Sequence, residues 1–228
     1  MISRTERRVG ALCAVTGSAL LLLGTYLHPM HADPNAPAAA FAEYATDHGW
    51  IASHLTQFVG VGLLVAALIL LARLLELKGR AGWARIAAGG AIASLAMAGA
   101  LQAVDGIALK SMVDAWAVAP ALQKEVVFYA AFAVRQVEIG LASLSSLLFG
   151  LTAMVYGGAL IVDRGYWRWM GGLAIVGGLS TALAGLLIAY TGFSGLAMTL
   201  NMLGISILLL WMLALAVCMW RDETPLAP

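Results

Sequence analysis

Charge is scarce in this chain. Asp, Glu, Lys and Arg together make up 11% of its 228 residues, and the formal net charge is +1. No basic surface large enough to neutralise a nucleic-acid backbone can be built from so few cations, so nucleic acid is excluded as a partner. Cysteine is nearly absent as well. Cys13 and Cys218 lie near opposite ends inside apolar runs, which argues against a disulfide framework and for two small buried hydrophobes. The motifs of common soluble chemistry are missing: there is no G-x-S-x-G elbow, no H-E-x-x-H, no phosphate-binding P-loop and no C-x-x-C. Gly-Phe-Ser-Gly at 192–195 lacks the strand-turn-helix setting of a nucleophile elbow and has no triad partners.

What fills the chain instead is apolar sequence. Hydrophobic residues are 62% of the total, mean hydropathy is +0.90, and runs of about 18 or more apolar residues recur, long enough to cross hydrocarbon. The expected fold is all-α: a single polytopic transmembrane bundle over 1–228 with six spans, at about 9–27, 51–72, 86–104, 139–161, 170–190 and 197–219. The first resembles a secretory signal, but its apolar portion is longer than the usual h-region and no small-x-small site ends it, so it reads as a retained helix. The expected partner is the lipid bilayer.

Six passes put both termini on one side. Arg4, Arg7, Arg8, Arg73, Lys78, Arg80, Arg85, Arg164, Arg168 and Arg221 fall on that side, whereas Lys110, Lys124 and Arg135 fall opposite. The positive-inside rule then makes both termini cytoplasmic. Trp83, Tyr166, Trp167, Trp169 and Trp220 flank the cytoplasmic helix ends as interfacial anchors. The extracytoplasmic connections are unequal: segments 28–50 and 105–125 are long enough for short helices, and 191–195 is a tight turn. A helix running from the second of these unbroken to Val162 would be about 60 Å long, so it must project outward or bend.

Polar residues inside the spans are concentrated rather than scattered. His54 and Gln57, Gln102 and Asp105, and Arg135 and Glu138 each sit at i, i+3 near the outer end of a span. Trp50, His28, Tyr190 and Asn201 lie at similar depth. An outward-facing polar pocket, closed below by apolar packing and covered by 28–50, satisfies such groups. Ligand-binding candidates are thus His54, Gln57, Gln102, Arg135, Trp50, Tyr190 and Asn201.

Three uses of that pocket compete. The polar groups fix helix register, with Arg135 paired to Glu138 or Asp105 and His54 bonded to Gln102. Alternatively His28, His31, His48 and His54 ligate a metal or haem, with Asp105 or Glu138 as a carboxylate ligand, although their spacing matches no zinc motif. Or the pocket takes a small lipid-like or aromatic molecule, which it binds or senses; in the catalytic version Glu138 or Asp105 acts as acid or base on an isoprenoid or quinone-like substrate. The sequence names no cofactor. The last span offers little polar beyond Asn201, so an ion pathway through the bilayer lacks stepping stones.

Small residues stud the spans: Gly90, Ser94, Ala98 and Gln102 share one face, and Gly171, Gly172, Gly177, Gly178 and Gly185 line another helix. A weak internal repeat lays Trp83 onward over Trp167 onward, making His54 the counterpart of Glu138. Finally, Leu-His-Pro after the first span, Gly-Trp-Ile-Ala-Ser-His-Leu, Val-Arg-Gln-Val-Glu-Ile-Gly and Tyr-Thr-Gly-Phe-Ser-Gly-Leu-Ala followed by Leu-Trp-Met resemble a family of small bacterial six-helix membrane proteins known only as a domain of unknown function. That resemblance implies the fold and placement in the bacterial inner membrane, and it carries no activity.

Overall fold

The computed structural model describes residues 3–162 and 168–221, which form helices and short turns. In chain order these are α1 (Arg4–Leu27), α2 (Pro37–Thr46), α3 (Trp50–Leu77), α4 (Ala81–Gln102), a π-helical segment (Ala103–Leu109), α5 (Lys110–Val118), α6 (Lys124–Val162), α7 (Arg168–Thr191) and α8 (Gly195–Arg221). Six are long and apolar enough to cross a membrane, with α4, the π segment and α5 counting as one continuous helix. The six expected spans are therefore present. Their limits differ most at the third, which runs on to Val118, and at the fourth, which starts at Lys124. Arg164, Tyr166 and Trp167 lie outside the described residues.

The spans form a closed ring. Each packs on its neighbour in chain order, α1 on α3, α3 on α4, α4 on α6, α6 on α7 and α7 on α8, and α8 returns to α1. Arg8 stacks over Trp220 at 5.2 Å, so the start of α1 and the end of α8 share one end of the ring. The exterior of the ring is apolar: Ile86, Ile92, Leu144, Leu151, Val176 and Leu210 are all exposed. A continuous surface of that kind is out of place in water and at home in hydrocarbon.

Two helix pairs are held by heptad seams of small residues. On α6 and α7, Ser143, Gly150 and Gly157 face Gly185, Gly178 and Gly171. A Cβ on Gly178 would lie 2.6 Å from the Gly150 carbonyl oxygen, and one on Gly157 2.7 Å from that of Gly171. The Ser143 hydroxyl donates to the Gly185 carbonyl at 2.8 Å. On α1 and α3, Gly17 faces Gly60 and Gly24 faces Ser53, with equally close backbones. Lipid provides no hydrophobic drive for helices to associate, so close backbone approach supplies it through packing, and the seven-residue period keeps the seam facing its partner. These tightest pairs, α1 with α3 and α6 with α7, do not follow the proposed internal repeat, under which α3 should pair as α6 does.

The seams also set depth. On α7, Trp169 and Tyr190 are both exposed and about 30 Å apart by helical rise, the thickness of hydrocarbon. Extending the α6–α7 register puts Glu138 level with Tyr190. Residues 124–137 of α6 then project beyond, as a helix of 39 residues must. They do not project alone. With α2, α5 and the start of α3 they form a cap around Phe41, Tyr44, Trp50, Leu109, Val113 and Ala131.

Two lysines finish the cap. Lys110 is buried and donates through Nζ to the Tyr44 and Ala45 carbonyls at the end of α2 and to Asp114. Lys124 donates to the Trp116 and Ala117 carbonyls at the end of α5 and lies over the Trp116 ring. A cation at a helix C-terminus satisfies carbonyls that have no intrahelical donor and complements the dipole.

Candidate functional site

Inside the ring lies a cavity of about 330 Å³ to which all six spans contribute side chains. Its wall is mostly apolar: Leu21, Val61, Leu64, Leu101, Phe149, Ile188, Leu208 and Met212 are typical. Toward the end away from the cap it is closed by the core around Leu71, Leu75, Tyr156, Leu160 and Leu215. There the Tyr156 hydroxyl ties α6 to the Leu68 carbonyl at 2.8 Å. Toward the cap the wall becomes polar, with Gln57, Gln102, Asp105, Glu138 and Asn201. The shared face of α4 points this way: Ser94, Ala98 and Gln102 line the cavity, while Gly90 abuts Thr152.

The polar end has two halves. In one, Arg135 and Glu138 are both buried and form an ion pair through Arg135 Nη1 and Glu138 Oε2. Arg135 Nη2 also donates to the Pro34 carbonyl at 3.1 Å, and its guanidinium lies over Phe193 and Tyr44. The 28–36 segment is thereby clamped against the ion pair at the cap end. Asn35 accepts from the Phe193 amide, and the Glu43 carboxylate accepts from the His31 and Ala32 amides. Burial pushes the Tyr44 phenol up to about 12, so it stays neutral beside this pair.

In the other half, His54 and Asp105 meet at 3.0 Å through Nε2 and Oδ2. His54 bonds through Nδ1 to the Trp50 carbonyl at 2.7 Å, and His28 through Nδ1 to the Pro29 carbonyl at 2.8 Å. The His28 and His54 rings are 5.0 Å apart, and both lie against the fully buried Trp50. Trp50 in turn donates from Nε1 to the Asp105 backbone carbonyl at 3.0 Å. Burial, then the neighbouring His54, hold the His28 imidazole below the usual range and so neutral near pH 7. The π segment makes this meeting geometrically feasible. Widening the helix turns Asp105 inward, and Gly106 lets the backbone touch His54, for a Cβ there would sit 2.6 Å from His54 Cβ.

Several polar atoms facing the cavity are left without partners. Gln102 Oε1, Asp105 Oδ1, Asn201 Oδ1, Ser145 Oγ and Trp211 Nε1 are buried and unbonded, although their residues line the cavity. Buried polar atoms are nearly always satisfied, so such a group marks a place for water or a ligand.

The sequence candidates divide accordingly. His54, Gln57, Gln102, Asp105, Arg135, Glu138, Trp50 and Asn201 converge on the cap end. Gln102 donates to Gln57 at 3.2 Å, so His54 pairs with Asp105 rather than with Gln102. Tyr190 does not join them: it is 83% exposed on the outer face of α7. Of the four histidines, His28 and His54 come together, but His31 and His48 are exposed. His31 sits in a turn fixed by its backbone, and His48 in the turn that starts α3. Sequence reading missed Trp211 and Ser145, which look like ordinary core residues until the ring is closed around them. No family model, no curated protein and no solved structure matches the chain.

Proposed function

We propose that this is a multi-pass protein of the bacterial inner membrane, with both termini cytoplasmic, that binds or senses one small lipid-like or aromatic molecule inside its ring of helices. The apolar part of the ligand lies in the middle of the ring, and its polar head meets Gln57, Gln102, Asp105 and Asn201 beneath the 28–36 segment. One observation carries this reading: a cavity within the usual size range of small-molecule sites, about 300–1,000 Å³, whose apolar wall ends in unpartnered buried polar atoms. The arginine-rich end, and the resemblance to bacterial six-helix proteins, support the orientation and the localisation.

Native mass spectrometry and solvent extraction of protein purified in mild detergent test it. Wild type should carry a defined non-protein molecule. Ala98→Phe with Ala142→Phe, which narrows the cavity from α4 and α6, should lower its occupancy at least about tenfold, the equivalent of about 1.4 kcal/mol. Retention of the same molecule by the filled variant would overturn the reading, as would wild type carrying nothing above detergent background. In a catalytic version of the site Glu138 or Asp105 would act as acid or base: each commits one oxygen, Glu138 to Arg135 and Asp105 to His54, and Asp105 Oδ1 is buried and unbonded.

A further inference from the structure

We propose that His28, His54 and Asp105 form a binding site for a divalent transition-metal ion, of the zinc class, at the polar end of the cavity. Among the described residues these three bring one nitrogen or oxygen each to within 4.8 Å of one another. They come from three separate elements, the end of α1, the start of α3 and the π segment, so no sequence spacing announces them.

The hydrogen bonds around the site fit this use. Each imidazole spends Nδ1 on a backbone carbonyl, His28 on Pro29 and His54 on Trp50. Donation there keeps a proton on Nδ1 and, in the neutral ring, leaves the Nε2 lone pair free, which is how a hydrogen bond to the other nitrogen orients metal-ligating histidines. In the neutral tautomer so fixed, His54 Nε2 and Asp105 Oδ2 are both acceptors, yet they face each other at 3.0 Å. Two lone pairs that close need a cation between them, either a proton or a metal. Asp105 Oδ1 is buried with no partner, so the carboxylate retains unused acceptor capacity. The carboxylate is itself oriented, because Trp50 Nε1 holds the Asp105 backbone.

Two imidazoles and one carboxylate are a ligand set for zinc or a neighbouring divalent metal. Ligation at about 2.0–2.2 Å draws the three donors closer by roughly an ångström, within reach of side-chain rotation. Three protein ligands leave a fourth position open, the mark of a catalytic rather than a structural zinc site. Of the three, Asp105 lines the cavity, so the site adjoins whatever occupies it. The rings lie side by side, tilted by 55°, which suits one ion and not a haem plane between them.

Purification through a tag without histidine, followed by metal analysis, tests this without reference to the ligand of the cavity. Wild type should hold about one zinc-class ion per chain, and His28→Ala, His54→Ala and Asp105→Ala should each fall to background, whereas His31→Ala and His48→Ala should not. Wild-type protein stripped by chelator supplies a second measurement that does not depend on any variant folding. Added Zn²⁺ should raise its melting temperature, and Co²⁺ should give visible absorption bands of a site with nitrogen and oxygen ligands. Absence of metal from wild type together with no uptake by stripped protein would overturn the proposal and leave an imidazolium–carboxylate ion pair. Loss of metal from His31→Ala or His48→Ala would also overturn it. Lipid extraction from the stripped protein separates this failure from a failure of ligand binding.

Discussion

Arg135 and Glu138 are the two charges that most need accounting for, since both are buried and each is costly to bring near hydrocarbon. Their depth softens that cost: the helix register places Glu138 level with Tyr190, at the edge of the apolar band rather than at its centre. Their pairing removes most of the remainder. The guanidinium serves Glu138, the Pro34 carbonyl and two aromatic faces at once, so it works as a clamp for the 28–36 segment. Breaking one partner of a buried pair leaves the other uncompensated, at about 3–5 kcal/mol, whereas replacing both with apolar groups is often near neutral. Glu138→Leu should therefore destabilise the detergent-solubilised protein by about 3 kcal/mol, and Arg135→Leu with Glu138→Leu by clearly less. Chemical-denaturation measurements on the two singles and the double close the cycle. Equal and additive losses would mean that the two residues act independently. The nature of these residues was legible in the sequence, because charges at i, i+3 inside an apolar run stand out. Their partners were not: Pro34 and Phe193 come from turns far away in the chain, and no local periodicity encodes that contact.

At the scale of elements, glycine spacing carries more than its frequency suggests. Glycines at 171, 178 and 185 read in sequence as generic packing devices, and only the facing set at 143, 150 and 157 turns them into a register. That register does two things. It brings α6 and α7 close enough for backbone contact, and it fixes how far α6 projects into the cap. A bulky side chain at its centre has nowhere to go, since a Cβ on Gly178 already meets the Gly150 carbonyl. Gly178→Leu should unfold or misassemble the protein, and Gly172→Leu, at a site with open space around its Cα, should not. Size-exclusion profiles and thermal stability in one detergent compare them. A well-folded Gly178→Leu would show that the seam tolerates separation and does not set the register. The π segment is the element that sequence could not disclose. Ala-Val-Asp-Gly-Ile-Ala-Leu has no proline, and its one glycine does not stand out among the many in these spans; its effect depends on Gly106 meeting His54 from another helix. Metal ligands spread over such elements stay invisible until the elements are packed.

For the whole molecule, the ring sorts the basic residues by end. Of the three cations expected at the outer end, Lys110 and Lys124 cap helix C-termini and Arg135 is locked in its ion pair, so none is a free charge at a membrane surface. On the other end, Arg73 and Arg85 are exposed, in surface pairs with Glu6 and Glu76. By count, ten basic residues against three favour the proposed placement of the termini in the cytoplasm. Single cysteines read this out in intact bacterial cells, in a background with Cys13 and Cys218 replaced by alanine. His48→Cys, in the exposed turn of the cap, should react with a membrane-impermeant maleimide before lysis. Lys78→Cys, in the turn after α3, should react only once the membrane is opened. The cap, the cavity mouth and the histidine–aspartate cluster share the His48 side, so the same labelling decides which compartment supplies the ligand and the metal. Labelling of Lys78→Cys but not His48→Cys before lysis would turn the molecule over and put that supply in the cytoplasm.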